Sequence, residues 1–331
     1  MAESMRAWRS ETYGPASAVR LERVAVPEPR SGEVLLRMRA TSLNAGDVRL
    51  LLGDPLLVRP FFGLTRPKHP IRGMDAVGEV VETGPNVIGV EIGDLVIGEL
   101  RGGGGLGEYA TVPADRVQPL PPGVEAAVAV TLPVAAGTAW QALDLARIGL
   151  GDHPQRVLVI GASGGVGAFA VQLAVLRGAE VWASCADRNG PLVEGLGAVR
   201  TLDHRRSPLS AIPGGHFDAV IDVAGGIDLR DLRRLARPDG AIVLVTGDGG
   251  HVLGPIPRML RAAFLSLSRG ARIRSLAASS RPEVLTALLE LLADGRFAPV
   301  IAQEYPFEDA GAALARIEDG HVVGKLVVRV A

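Results

Sequence analysis

The 331-residue chain is long enough for two domains with sizeable cores, and 47% of it is hydrophobic. Its 35 Lys+Arg against 36 Asp+Glu leave a net charge of −1, which argues against nucleic acid or a membrane surface as a partner. One cysteine, Cys185, excludes an intramolecular disulfide and any cysteine-rich zinc site.

The opening residues Met1-Ala2-Glu3-Ser4 lack the charged-then-apolar pattern of a secretion signal, so a cytoplasmic location is expected. Residues 5–123 read as β-rich. Strands are predicted at 5–8, 21–26, 33–40, 76–82 and 94–97, separated by Pro27, Pro29, Ser31-Gly32, Gly53-Asp54, Gly84-Pro85-Asn86 and the glycines of 102–105. Many short strands with few helices suggest a barrel-like fold. Pro121-Pro122-Gly123 marks a domain boundary. The apolar stretch 127–143 carries Thr131, Pro133, Thr138 and Gln141, and reads as a helix start in a soluble protein, not a membrane span.

The rhythm then changes. Strands predicted at 157–160, 181–184, 219–223, 241–245 and 273–276 alternate with helices such as 165–176 and 228–236, the pattern of a parallel, doubly wound α/β sheet. The pivot is Val157-Leu158-Val159-Ile160-Gly161-Ala162-Ser163-Gly164-Gly165-Val166-Gly167, a buried strand, a glycine turn and a helix start. Backbone N–H groups at such a start attract phosphate, and side chains there would block its approach. Gly164 and Gly167 match the last two glycines of the dinucleotide fingerprint, while Ala162 replaces the first. Two other readings stay open: a purely structural turn, and a G-x-S-x-G nucleophile elbow centred on Ser163. Gly167, and the want of an oxyanion-hole glycine motif after an early strand, favour the dinucleotide.

Ile256, Met259, Leu260, Ala263, Phe264 and Leu267 mark one face of an amphipathic helix, read as a core or dimer contact, or as a substrate-pocket wall. Helices near 283–292 and 308–317 and a strand at 325–330 complete the chain.

Together these pieces resemble the medium-chain dehydrogenase/reductase superfamily, in its zinc-independent quinone oxidoreductase and enone reductase branch. The resemblance runs from Met5 to Val330. It rests on Ser42-Leu43-Asn44-Ala45-Gly46-Asp47, Gly73-Met74-Asp75-Ala76-Val77-Gly78, Gly93-Asp94-Leu95-Val96-Ile97-Gly98, Gly107-Glu108-Tyr109, Leu132-Pro133 with Gly137-Thr138-Ala139-Trp140, the turn from Ala162 to Gly167, and Gly320-His321-Val322-Val323-Gly324-Lys325. It implies a GroES-like β-barrel catalytic domain, 1–123 with 279–331, around an inserted Rossmann NADPH-binding domain, 124–278.

Zinc-dependent relatives hold the metal with an early Cys, a Gly-His-Glu and a later Cys or acid. Here Asn44 lies near the first ligand position and Gly73-Met74-Asp75 replaces Gly-His-Glu. Met74 is a poor zinc ligand, and the four-cysteine structural lobe is missing, so no zinc is expected. Without a metal, hydride transfer to an already polarised acceptor, a quinone or an α,β-unsaturated carbonyl, is the chemistry best supported.

The second Rossmann strand ends in Ser184-Cys185-Ala186-Asp187-Arg188-Asn189. Cys185 sits close to where an NAD-selecting acid would stand. Arg188 suits a 2′-phosphate, with Asp187 partly opposing it, and His204 matches a position where many relatives carry a tyrosine lining that pocket. NADPH is therefore expected, with NADH possible. Ser163, Gly164, Gly165 and Val166 would meet the pyrophosphate. Ala224-Gly225 and Thr246-Gly247 end later strands, where ribose and nicotinamide contacts fall. Asn44 and Thr138 match positions bordering the nicotinamide, or serve only as a turn cap and a helix-start hydroxyl. Arg49 and Leu50-Leu51-Leu52 stand where some enone-reducing relatives carry a hydroxyl, so the proton is expected from water.

The resemblance implies an NADPH-dependent reductase of a small molecule, usually a homodimer. Two alternatives stand beside it: an NADPH-binding redox sensor or structural protein with little turnover, and a specialised reductase in a biosynthetic pathway. Phe61, Phe62, Met259 and Phe264 are candidate pocket walls.

Overall fold

The computed structural model describes residues 3–151, 153–203, 205–206, 209–245 and 249–330. Strands follow in chain order: β1 Ser4–Arg9, β2 Arg20–Ala25, β3 Glu33–Leu43, β4 Asp75–Thr83, β5 Leu95–Glu99, β6 Tyr109–Pro113, β7 Val117–Pro119, β8 Arg156–Ile160, β9 Glu180–Cys185, β10 Arg200–Asp203, β11 Phe217–Asp222, β12 Ala236–Leu244, β13 Arg272–Ser275, β14 Ile301–Pro306 and β15 Lys325–Arg329. The chain divides into two compact units, Met1–Gly137 with Ser280–Ala331, and Thr138–Ser279.

In the first unit β1 and β2 form an antiparallel pair, and a larger sheet runs β14-β15-β3-β4-β5-β7, with β6 also on β3. The long β3 is its spine. It pairs with β4 on one side, and in turn with β6 over Glu33 to Arg37 and with β15 over Ala40 to Leu43. Val34, Leu36 and Met38 bury in a common core with Val80, Val96, Phe307, Leu326 and Val328. Each such large side chain contributes roughly 1.5–3 kcal/mol. Past Met38 the strand stays buried but turns polar: Thr41 and Ser42 are fully covered. Buried hydroxyls need partners, and theirs lie in the candidate site.

β6, β7, β10 and β14 were not expected from the sequence. Each pairs with a single neighbour, so none carries the two-sided apolar run of a central strand. The first domain break also falls later than 123/124. The helix Ala126–Ala129 packs on β3, β4 and β15, and the π-helical turn Leu132–Ala136 packs on β4 and β5, which draws 124–137 into the first unit. The helical run Ala126–Leu145 is long and apolar enough to cross a membrane by length and composition, yet 67% of its most apolar window is buried within the protein.

The second unit holds six parallel strands in the order β10-β9-β8-β11-β12-β13. The order reverses between β8 and β11, which makes the carboxyl end of β8 the topological switch point where such sheets bind ligands. Val157, Leu158 and Val159 are fully buried, as is most of the helix Gly165–Leu176, so the turn between them is rigidly held.

The helix Ile256–Ser266 goes against the core reading of its apolar stripe, while the dimer-contact and pocket-wall readings stand. Its apolar stripe faces outward: Met259, Leu260, Phe264 and Leu267 are exposed, while Ala262 and Leu265 pack on the sheet. Ion pairs hold it from its polar edge, Arg258 to Asp222 at 3.1 Å and Arg261 to Asp228 at 2.9 Å. Phe61 is likewise 71% exposed.

Candidate active site

The turn after β8 separates two kinds of glycine. A Cβ on Gly167 would stand 2.1 Å from the carbonyl oxygen of Gly161, so the fold itself demands glycine there. A Cβ on Gly164 would meet nothing nearer than that same oxygen at 3.5 Å, an ordinary contact. Protein packing does not explain why Gly164 is bare. Gly164 is also the N-cap of the helix Gly165–Leu176, and no side chain caps the N–H groups behind it. An open, uncapped helix start at a switch point fits a dinucleotide pyrophosphate.

Ser163 is held as an acceptor: Asn189 Nδ2 donates to its Oγ at 3.0 Å. No histidine bonds it among the described residues, so nothing described there supports the nucleophile-elbow reading. Asp222, buried at the end of β11, accepts from the Gly225 backbone N–H at 2.9 Å and pairs with Arg258, which pins the turn bearing Ala224. Beyond β9, Arg188 is exposed. Asp187, expected to oppose it, is paired with Arg206 at 3.4 Å. Arg205 and Arg206, exposed just after β10, add positive charge that the sequence reading passed over for His204; the doublet itself was the available signal. His204, Thr246 and Gly247 lie outside the described residues. Thr138 is buried in the first turn of the helix Gly137–Leu145. Burial pushes the Cys185 thiol up, which suits an unreactive strand-end residue.

In the first unit, Asn44, Asp75 and Lys325 form one buried network. One oxygen of Asp75 accepts from Ser42 Oγ at 2.5 Å and Asn44 Nδ2 at 2.8 Å and faces Lys325 Nζ at 3.6 Å. The other accepts the Val134 backbone N–H at 2.9 Å. Lys325 Nζ also donates to the Leu43 carbonyl at 3.0 Å and to Asn44 Oδ1. Thr41 Oγ1 donates to the Asp75 carbonyl. Asp47 accepts from the backbone N–H groups of Asn44 and Gly73, at 2.9 and 2.8 Å, and so locks the Asn44 turn to the Gly73-Met74-Asp75 segment. Sequence reasoning found Asn44 but assigned no role to Lys325, Ser42 or Asp47.

These residues do not fit zinc. The Asp75 carboxylate is saturated by protein donors, the Asn44 carbonyl faces an ammonium, and Met74 stands where an imidazole would be needed. Among the described residues no three His, Cys, Asp or Glu side chains gather to hold a metal ion.

Glu99 lies directly across the sheet from Asp75, so both side chains project from the same face. Burial pushes its carboxyl up to about 7, with the charges of Asp75 and Asp47 adding to the effect. Burial likewise lifts Asp47 to about 6, against the pull of its backbone hydrogen bonds. A carboxyl raised on folding contributes stability that is complete below its unfolded value near 4.5 and is lost as pH rises through 7. Glu99→Gln should therefore gain on wild type between pH 5 and 8, by up to about 3 kcal/mol. Denaturant unfolding across that range tests this, and parallel curves would remove Glu99 from the account.

One chain thus carries a doubly wound sheet with an open glycine turn and another unit with a buried polar network. A family model described as "Alcohol dehydrogenase GroES-like domain" matches residues 30–122, and one described as "Zinc-binding dehydrogenase" matches 196–328. The chain is 36% identical to Quinone-oxidoreductase QR1, chloroplastic, of Triphysaria versicolor, over 98% of both chains. It is 29% identical to the 2-methylene-furan-3-one reductase of Solanum lycopersicum, over 98% of this chain and 79% of that one. The solved quinone oxidoreductase from Coxiella burnetii superposes with a TM-score of 0.87 at 28% identity, covering 99% of this chain and all of the other. The chain belongs to the medium-chain dehydrogenase/reductase superfamily, in its quinone and enone reductase branch, and is an NAD(P)H-dependent oxidoreductase.

Proposed function

We propose that the protein uses NADPH to reduce quinones or activated alkenes, and that no metal takes part. The observation that carries this reading is Gly164: a residue the fold leaves free to bear a side chain stays bare at an uncapped helix start. The backbone N–H groups of Ser163, Gly165 and Val166 would hold the pyrophosphate. Arg188, with Arg205 and Arg206 nearby in sequence to β10, would meet the 2′-phosphate. When bound, NADPH supplies a hydride to the acceptor. The acceptor class follows from the relatives' names and from a site whose carboxylate is already saturated, which leaves no Lewis acid to activate a simple alcohol.

Stopped-flow oxidation of NADPH over a quinone and enone panel tests this. Acceptor-dependent oxidation is expected with at least one member. Tight NADPH binding with no oxidation anywhere in the panel would favour the sensor reading. Arg188→Ala should weaken NADPH binding about tenfold or more and leave NADH nearly unchanged, since a charge-assisted bond to a phosphate is worth roughly 1.5–3 kcal/mol. Equal losses for both nucleotides would exclude Arg188 from selecting the 2′-phosphate.

A further inference from the structure

We propose that the second unit carries a binding site for a small polyphosphate, of the nucleoside triphosphate class, at the amino end of its sheet. A cavity of about 870 Å³ opens there, a size that suits a small molecule. It lies wholly within Thr138–Ser279. Its lining includes the starts of strands: Gln155 just before β8, Asp218 as the second residue of β11, Arg237 as the second of β12 and Arg272 as the first of β13. The glycine turn follows the other end of β8, so a strand's length, roughly 15–20 Å, separates the two places. The inference stands on the second unit alone and does not depend on the reductase reading.

Charge says what the cavity would hold. Five arginines line it: Arg147, Arg237, Arg269, Arg272 and Arg274. A second hollow, of about 660 Å³, shares Pro238, Arg269 and Gly270 with it and adds Arg230, Arg233 and Arg234. Among the described residues, Asp218 and Asp239 are the only carboxylates lining either hollow. Asp218 is already committed, to Arg237 at 2.9 Å and to the Arg156 backbone N–H at 2.8 Å. Of these arginines, Arg237 alone is in an ion pair among the described residues. Three others are held by neutral carbonyls. Arg233 donates to Ser268 at 2.9 Å, Arg234 to Ile212 and Leu209 at 2.6 Å each, and Arg274 to Leu145 at 3.1 Å. A carbonyl fixes a guanidinium without cancelling its charge and leaves further N–H donors for a ligand.

A chain of net charge −1 thus gathers fixed, unanswered cations around one hollow. Phosphate oxygens match the guanidinium fork with paired N–H bonds. A single phosphate would leave most of these cations unanswered, and a chain of phosphates would reach several. Leu150 and Leu267 line the same cavity and are 74% and 85% exposed, apolar surface on which the base and sugar of a nucleotide would rest. The cations surround a hollow, which favours a small molecule over a bilayer or a nucleic acid duplex.

Calorimetric titration with ATP, without added metal, tests this. Gly164→Val, altered only at the glycine turn, should still take up one ATP. Arg269 and Arg272 are exposed, and neither side chain makes a hydrogen bond among the described residues, so replacing them should leave the fold intact. Arg269→Glu with Arg272→Glu should bind ATP at least about 100-fold more weakly, because two charge-assisted contacts are reversed. NADPH affinity in that variant should stay within about twofold of wild type, since the two places are far apart. Arg269→Gln with Arg272→Gln, which removes charge without reversing it, should lose about tenfold. In wild type, hydrogen exchange should show ATP protecting residues 237–241 and 269–272. Wild-type ATP affinity in the Glu variant overturns the proposal, as does the absence of ATP binding in wild type. Loss of ATP binding in Gly164→Val with retention in the Glu variant places ATP at the turn and also overturns it. Capture of a DNA duplex or of vesicles rich in anionic lipid that needs both arginines, with no ATP binding, overturns it in favour of a larger partner.

Discussion

Gly164→Val is expected to abolish practical NADPH binding while the protein stays folded. Gly164 has φ −78° and ψ 175°, extended backbone that a β-branched residue adopts readily. Its Cβ would find only an ordinary contact at 3.5 Å. Loss of a good N-cap costs no more than about 1 kcal/mol. The branched side chain would instead stand over the uncapped N–H groups of the following helix, where the pyrophosphate must approach. Kd should rise at least about 100-fold, equal to roughly 2.7 kcal/mol. Gly167→Ala is the contrasting case. Its methyl would sit 2.1 Å from one backbone oxygen and 2.8 Å from the Cα of Ala162, so the helix and strand must part. That variant should lose several kcal/mol of stability before any question of binding arises. Calorimetric titration with NADPH, run beside thermal melts, separates the two. Wild-type affinity in Gly164→Val would mean the cofactor lies elsewhere.

Asp75→Ala is expected to be the most damaging single change in the first unit. It strips acceptors at once from Ser42, Asn44 and the Val134 backbone, and leaves the buried Lys325 ammonium without its counter-charge. Breaking a buried pair on one side costs about 3–5 kcal/mol. The damage should be local, because β3, β4 and β15 converge on this carboxylate. Hydrogen exchange across those strands reads the first unit without assuming that the two units unfold together. Protection in Asp75→Ala should fall in β3, β4 and β15 and stay unchanged in β8 to β13. Asp75→Asn, which keeps the shape and one acceptor, should cost much less. Equal protection in Asp75→Ala and wild type would show that the network contributes nothing to stability.

The electrostatics give these predictions their size. Lys325 is buried, and burial pulls its ammonium toward neutrality while Asp75 and Asp47 hold the charge in place. Only the approach of the carboxylate makes the cation tolerable. The same enclosure raises Glu99, whose neighbours are carboxylates and whose Arg116 counter-charge is the weaker influence.

Local sequence determined the Rossmann half of this protein well. A β-branched run, a glycine turn and an apolar helix are interactions between near neighbours, so the residues from Arg156 to Leu176 carried strand, turn and helix in plain view. The poor zinc-ligating chemistry of Met74 was equally legible, since its identity, like that of Asn44, is a fact of the sequence. Edge strands such as β10 and β14 were not, because their partners, and not their own composition, make them strands. Which way the stripe on the helix Ile256–Ser266 faces was not legible for a related reason: two arginines anchor its polar edge to Asp222 and Asp228, and those acids lie far from it in sequence. The Asn44, Asp75 and Lys325 network depended on tertiary structure alone. Leu43 and Lys325 are 282 residues apart, and only the pairing of β15 with β3 sets the ammonium against the Asn44 amide. Periodicity and turn chemistry report what a residue does to its neighbours along the chain. A buried charge pair is decided by which distant strands share an edge, and that information exists only once the sheet has closed around it.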